Sequence, residues 1–224
     1  MRRWRDHGLS IFFGVIFLLS LAGQSVAGLL AHNAEQTAHG SPEVSWWGFV
    51  TSSQFVVDVA ENWQSEYLQF FLFVGTTVWL VQRGSPESKK PDDQGLDTDE
   101  NQLVGPYARP DSPAWAKVDG WRRSLFSNSL LLVMGAVFVL SWLLQSLAGL
   151  TVYNADQAEH GQAAISWAAY LGNPDFWNRT LQNWQSEFLA VGSMVALSIY
   201  LRQRGSAESK PVGAPHDESA VSSE

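Results

Sequence analysis

A chain of 224 residues with 14 Lys and Arg against 22 Asp and Glu carries a net charge of −8, and no basic stripe offsets it, so a nucleic-acid partner is not expected. There is no cysteine, which excludes disulfides, thiolate metal sites and a cysteine nucleophile. The 11 Trp and 12 Phe sit largely in long uncharged stretches, with charge collected in blocks between them, a pattern of a membrane protein rather than a soluble domain.

The first element follows Arg2, Arg3 and Arg5. Leu9 to Leu30 is uncharged and, at about 1.5 Å per residue, long enough to cross a bilayer. Ser25-Val26-Ala27 within it resembles a signal-peptidase site. The equivalent Ser146-Leu147-Ala148 lies mid-chain, where no leader acts, so a retained helix is expected. Gly40 and Gly161 are positioned to end the first helix of each half. The next apolar run, Tyr67 to Val81, covers only about 22 Å, so the helix must extend back to about Trp63 to span, or else the bilayer thins. Gly84 to Gly120 holds five prolines and many acids and reads as a disordered linker. Leu125 to Leu150 is a second long apolar run. Asn173-Pro174 marks a helix start, with the helix expected to run to Arg204, and Phe188 to Leu201 is its apolar part. Arg83-Gly84-Ser85 and Arg204-Gly205-Ser206 are expected to end the second helix of each half, and the tail after Gly205 again reads as disordered.

The halves match at a fixed spacing of 121 residues. Gly14 to Lys89 aligns on Gly135 to Lys210 without a gap, and about 32 of 76 positions are identical. Twins include Gln24/Gln145, Ser25/Ser146, Asn33/Asn154, His39/His160, Trp46/Trp167 and the whole of Asn62–Glu66, repeated as Asn183–Glu187. On the first helix the shared residues, among them Ala27 and Gly28, fall mainly on one side. The changed ones swap apolar for apolar, which lipid tolerates and a packed face does not.

Of the 14 basic residues, only Arg179 lies in the segments joining paired helices, 31–66 and 152–186. By the positive-inside rule those segments face outward, while both termini and the linker are cytoplasmic. The expected fold is therefore an all-α membrane protein with four transmembrane helices, arranged as two parallel, pseudo-twofold-related hairpins. The domains run 1–83 (first hairpin), 84–120 (linker), 121–204 (second hairpin) and 205–224 (tail). The lipid bilayer is the constant partner, and a transport role would call for a homo-oligomer.

Laid antiparallel, Gln24 and Glu66 fall at about 28 and 25 Å above the inner surface, one polar layer that Gln145 and Glu187 repeat. Carboxylates at that depth are functional candidates or members of a hydrogen-bonded clamp. Asn62 and Asn183 share a face with Glu66 and Glu187. Trp63, Trp184, Trp46 and Trp167 suit an interfacial belt. Glu35 and His39, like Asp156 and His160, stand four apart on outer helix ends. An isolated E-x-x-x-H pattern is explained by such pairing, and a shared metal site would require the two outer ends to meet. No metal or cofactor is expected. With no catalytic array, phosphate loop or H-E-x-x-H motif, no catalytic residue and no enzymatic activity are expected.

N-W-Q-S-E-[YF]-L, followed about 15 residues on by Q-R-G-S-x-E-S-K, resembles a bacterial membrane-protein family known only as a domain of unknown function. The resemblance covers Trp4 to Lys89 and Trp121 to Lys210. It implies a multi-pass protein of the bacterial plasma membrane and supplies no activity, cofactor or catalytic residue.

Overall fold

A computed structural model describes residues 6–219. The basic residues Arg2, Arg3 and Arg5 and the last five residues lie outside this range. Among the described residues the fold is all-α, with no strand. The helices are α1 Gly8–Ala38, α2 Trp46–Val50, α3 Ser53–Thr76, α4 Trp121–Ser127, α5 Ser129–Glu159, α6 Trp167–Leu171 and α7 Pro174–Leu197. Single 3-10 turns at Pro91–Asp93, Gly105–Tyr107 and Ala114–Ala116 lie between α3 and α4.

The two long helices end where glycine permits it. Gly40 and Gly161 adopt φ of +72° and +68°. This left-handed conformation lets the Ser41 N–H reach back to the Gln36 carbonyl and the Gln162 N–H to that of Gln157, both at 2.8 Å. Such bonds satisfy carbonyls that the last turn would otherwise leave open. The short α2 and α6 start alike. Ser45 and Ser166 accept hydrogen bonds from the N–H groups of Gly48 and Ala169, the expected role of serine at an N-cap. α7 begins at Pro174, with Asp175 in its first turn.

One expectation changes. α7 stops at Leu197 and α3 at Thr76, well short of Arg204 and Arg83, so the Arg-Gly-Ser triplets do not terminate these helices. Apolar composition continues past both ends. At these ends Thr77 Oγ1 bonds back to the Phe73 carbonyl at 2.7 Å and Ser198 Oγ to that of Val195 at 3.3 Å, and the next N–H groups close tight turns onto Thr76 and Leu197. Arg202 then covers the exposed carbonyls of Ser198, Ile199 and Leu201 with Nη1.

Among the described residues, two helices, α1 and α5, are long and apolar enough to cross a membrane. α3 and α7 each have 24 residues, and their N-terminal halves carry Asp58, Glu61, Asn62 and Gln64, and Asp175, Arg179, Gln182 and Asn183.

Two compact units emerge. The first joins the described residues through Ala60 to Leu144–Asn173, and the second joins Glu61–Leu143 to the described residues from Pro174 onward.

Candidate functional site

In the first unit, identical residues make identical bonds at positions 121 apart. The indole N–H of Trp46 donates to Ser25 Oγ at 3.1 Å, and that of Trp167 to Ser146 Oγ at 3.0 Å. Asn33 grips the backbone of Val44 from both sides, Nδ2 donating to its carbonyl and Oδ1 accepting from its N–H, at 3.0 and 2.9 Å. Asn154 does the same to Ile165, at 3.1 and 2.9 Å. Each asparagine thereby ties the loop after a long helix to that helix, leaving neither backbone group unpaired.

Glycine makes room for this arrangement. A Cβ at Gly28 would lie 2.8 Å from the Phe49 ring, and one at Gly149 would lie 2.6 Å from the Tyr170 hydroxyl. The aromatic residues at these equivalent positions are almost wholly buried, 2% and 1% exposed. On α5 the shared face buries Ser141, Gln145, Ser146 and Ala148; on α1 it buries Ser25 alone, and Gly14, Phe17, Ser20, Gln24 and Ala27 are exposed.

The outer-end residues gather at one cleft of about 610 Å³ in this unit, where Glu35, His39 and Asp156 are joined by Asp58, Glu159 and His32. His160 turns elsewhere: its Nδ1 lies 2.8 Å from the Asp156 backbone carbonyl and 3.7 Å from that residue's carboxylate. Those two contacts, the carbonyl first, raise the His160 pKa above the ordinary imidazole value. No group of three or more His, Cys, Asp or Glu among the described residues is arranged to hold a metal ion.

Of the proposed polar layer, Gln24 is exposed on α1 and Gln145 is 1% exposed on α5. Both belong to the first unit, whereas Asn62, Glu66, Asn183 and Glu187 belong to the second. In the second unit Glu66 and Glu187 come within Coulombic reach of each other. Asn183 Nδ2 donates to the Arg179 carbonyl at 2.9 Å, and the Asn62 carbonyl accepts from Ser65 Oγ at 2.8 Å.

The strongest tie across this unit was not foreseen. Gln64, fully buried, accepts from the Trp184 indole at 2.7 Å. Arg179 lies 3.5 Å from Glu61 and 3.3 Å from Asp175. Trp142 packs against Phe138, Phe176, Trp177 and Trp184, and its indole N–H donates to Thr180 Oγ1 at 3.3 Å. Sequence reasoning placed Trp184 in an interfacial belt and passed over Gln64, Asn33 and Ser25. All of them were visible as twins, which was the only available signal.

A family model described as a domain of unknown function, DUF6766, matches residues 1–221. The chain belongs to that family. No curated protein and no solved structure matches this DUF6766 chain.

Proposed function

We propose that this chain is an integral protein of the bacterial inner membrane, built from an internal repeat into four transmembrane helices in two parallel hairpins. α1 and α5 are the outward legs and α3 and α7 the returning ones, with both termini and the 84–120 linker in the cytoplasm. Its role is non-catalytic, structural or interactive, with the bilayer as constant partner and a second copy or another protein as further partner. The observation that carries this reading is how the twinned polar residues are used: Ser25, Ser146, Asn33 and Asn154 bond within the chain. The apolar surface exposed along α1, such as Phe12, Phe13, Leu18 and Leu19, supports a lipid environment.

A second reading, a small transporter, channel or ion- or proton-responsive protein, is favoured by the proximity of Glu66 to Glu187. One preparation tests both. In proteoliposomes, the Glu66→Gln/Glu187→Gln variant of a scaffold shows unchanged, background proton and cation leakage and at most a lowered melting temperature. A flux present in the native chain and lost in that variant would establish the second reading instead. Topology is checked in intact cells: a cysteine replacing Ser41 labels from outside and one replacing Ser112 does not.

A further inference from the structure

The Gln-Arg-Gly-Ser-x-Glu-Ser-Lys motif folds in the same way at both of its occurrences, residues 82–89 and 203–210. Ser88 Oγ accepts from the Gln82 N–H at 2.7 Å, and Ser209 Oγ from that of Gln203 at 2.9 Å. Ser85 Oγ accepts from the Glu87 N–H and Ser206 Oγ from that of Glu208, both at 3.2 Å. The motif's lysine then takes hold of the chain further on, at matching positions. Lys89 Nζ donates to the Gly95 carbonyl at 2.9 Å and Lys210 Nζ to that of His216 at 3.0 Å. Residues 90–94 (Lys-Pro-Asp-Asp-Gln) and 211–215 (Pro-Val-Gly-Ala-Pro) share no identity, so the fold-back comes from the motif and not from the sequence it captures.

The captured residue docks at the same place in each half. Gly95 lies against the Trp79 ring, 3.3 Å from where its Cβ would be, and its N–H donates to the Val78 carbonyl at 2.7 Å. His216 lies against Tyr200, ring centroids 5.4 Å apart, and its Nδ1 is 3.0 Å from the Ile199 carbonyl. Val78 and Trp79 are the twins of Ile199 and Tyr200, just past the ends of α3 and α7. Carbonyls beyond a helix end lie outside its ladder and are open to donors from elsewhere.

Beyond this shared clasp the halves differ. Lys210 is 1% exposed, and its Nζ also donates to the carbonyls of Pro215 and Glu218. A buried ammonium is tolerated only when its donors are matched, and here its three N–H groups meet three carbonyls of one stretch. Arg202, which stands where the first half has Val81, donates through Nη2 to the Ala214 carbonyl. The same stretch then reaches the first motif. Ser219 Oγ accepts from the Gly84 N–H at 2.7 Å, and a Cβ at Gly84 would collide with the His216 carbonyl oxygen. Its twin Gly205 has open space around it.

We propose that residues 211–219 form a strap that fastens the two motif turns to each other, pinned by Lys210 and Arg202 at the second turn and seated on Gly84 at the first. The halves also meet beside it through Ser85 Oγ and Ser198 Oγ, 3.4 Å apart. Lifting the strap frees the turn at Gly84 and lets the two turns separate.

The lack of native cysteine allows spin labelling of the full chain in nanodiscs. Labels on Lys90→Cys and Asp217→Cys, exposed residues lining one cleft, report whether the strap is seated. Labels on the exposed Gln82→Cys and Gln203→Cys report the separation of the turns. One short distance is expected for each pair in the otherwise native chain. Gly84 and Gly205 have φ of +87° and +82°, so alanine meets the same backbone strain at both. Only Gly84→Ala obstructs the strap. The 90/217 distance should therefore lengthen and broaden in Gly84→Ala and stay short in Gly205→Ala. Lys210→Met, which keeps an apolar stem and removes the pin, should release the strap as well. Ending the chain after Lys210 should lengthen the 82/203 distance. A broad 90/217 distribution in the otherwise native chain overturns the strap, as does a short one that survives both Gly84→Ala and Lys210→Met. An equal response to the two alanines assigns the effect to turn strain and overturns it too. Turns that keep their separation in the shortened chain overturn the fastening role.

Discussion

The two compact units put their twinned residues to different use. In the first, three twinned pairs keep one role at a spacing of 121: serine receives indole, asparagine grips backbone, glycine seats an aromatic ring. In the second, identity of residue and identity of role part company. Gln64 is buried and accepts from Trp184, while its counterpart Gln185 is exposed and Trp63, the counterpart of Trp184, is 41% exposed. The difference lies in the neighbours. Leu21 is replaced by Trp142, Asp58 by Arg179 and Val59 by Thr180. The aromatic cluster and the Glu61–Arg179 ion pair exist only because of those replacements. A twin keeps its role where its surroundings are also shared, and loses it where they have changed.

The largest break in this comparison is expected at Trp142. Replacing it with Ala removes contacts to four aromatic rings and the bond to Thr180, at a cost of about 3 kcal/mol, the lower end for a large aromatic. Leu21→Ala is expected to cost far less. Equal losses in chemical denaturation of the purified chain would mean that the second unit is not organised around this residue.

The symmetric unit predicts equality instead. Asn33→Ala and Asn154→Ala each remove two hydrogen bonds and strand a backbone donor and acceptor, at about 1 kcal/mol per bond. Each should lower stability by about 2 kcal/mol, and hydrogen exchange should rise at Val44 in one variant and at Ile165 in the other. A loss confined to one of the two would show that the matching bonds are not matched in energy.

How far these features could be read from the chain depends on where the partner lies. Helix ends at Gly40 and Gly161 were legible because a left-handed residue there calls for glycine, and the start at Pro174 because proline suits the first helical position. The ends at Thr76 and Leu197 were hidden, because the apolar run continues past them to Val81 and Leu201. Asn33 and Asn154 showed themselves as twins, but their partners are main-chain groups of Val44 and Ile165, which any residue would supply. Glu87 and Glu208 sat in runs read as linker and tail, where composition conceals a turn held by serine hydroxyls.

Gln64 and Gln185 sharpen the comparison most, because they are the same residue in the same pentapeptide. Gln64→Ala leaves the Trp184 indole N–H without its 2.7 Å acceptor in a buried setting, a loss of roughly 1–2 kcal/mol. Gln185→Ala alters an exposed side chain and should stay within about 0.5 kcal/mol. The fluorescence of Trp184 should report the same asymmetry in a chain where the other tryptophans are held constant: a change with the first variant, none with the second. If the two variants are equivalent in both stability and emission, the twins retain a common role and the contrast between the units fails. If they differ as expected, residue identity across the 121-residue spacing is a guide to function only where the neighbours are also shared. That criterion favours Ser25/Ser146 and Asn33/Asn154 as a common structural device, and requires Glu66 and Glu187 to be tested separately as well as together.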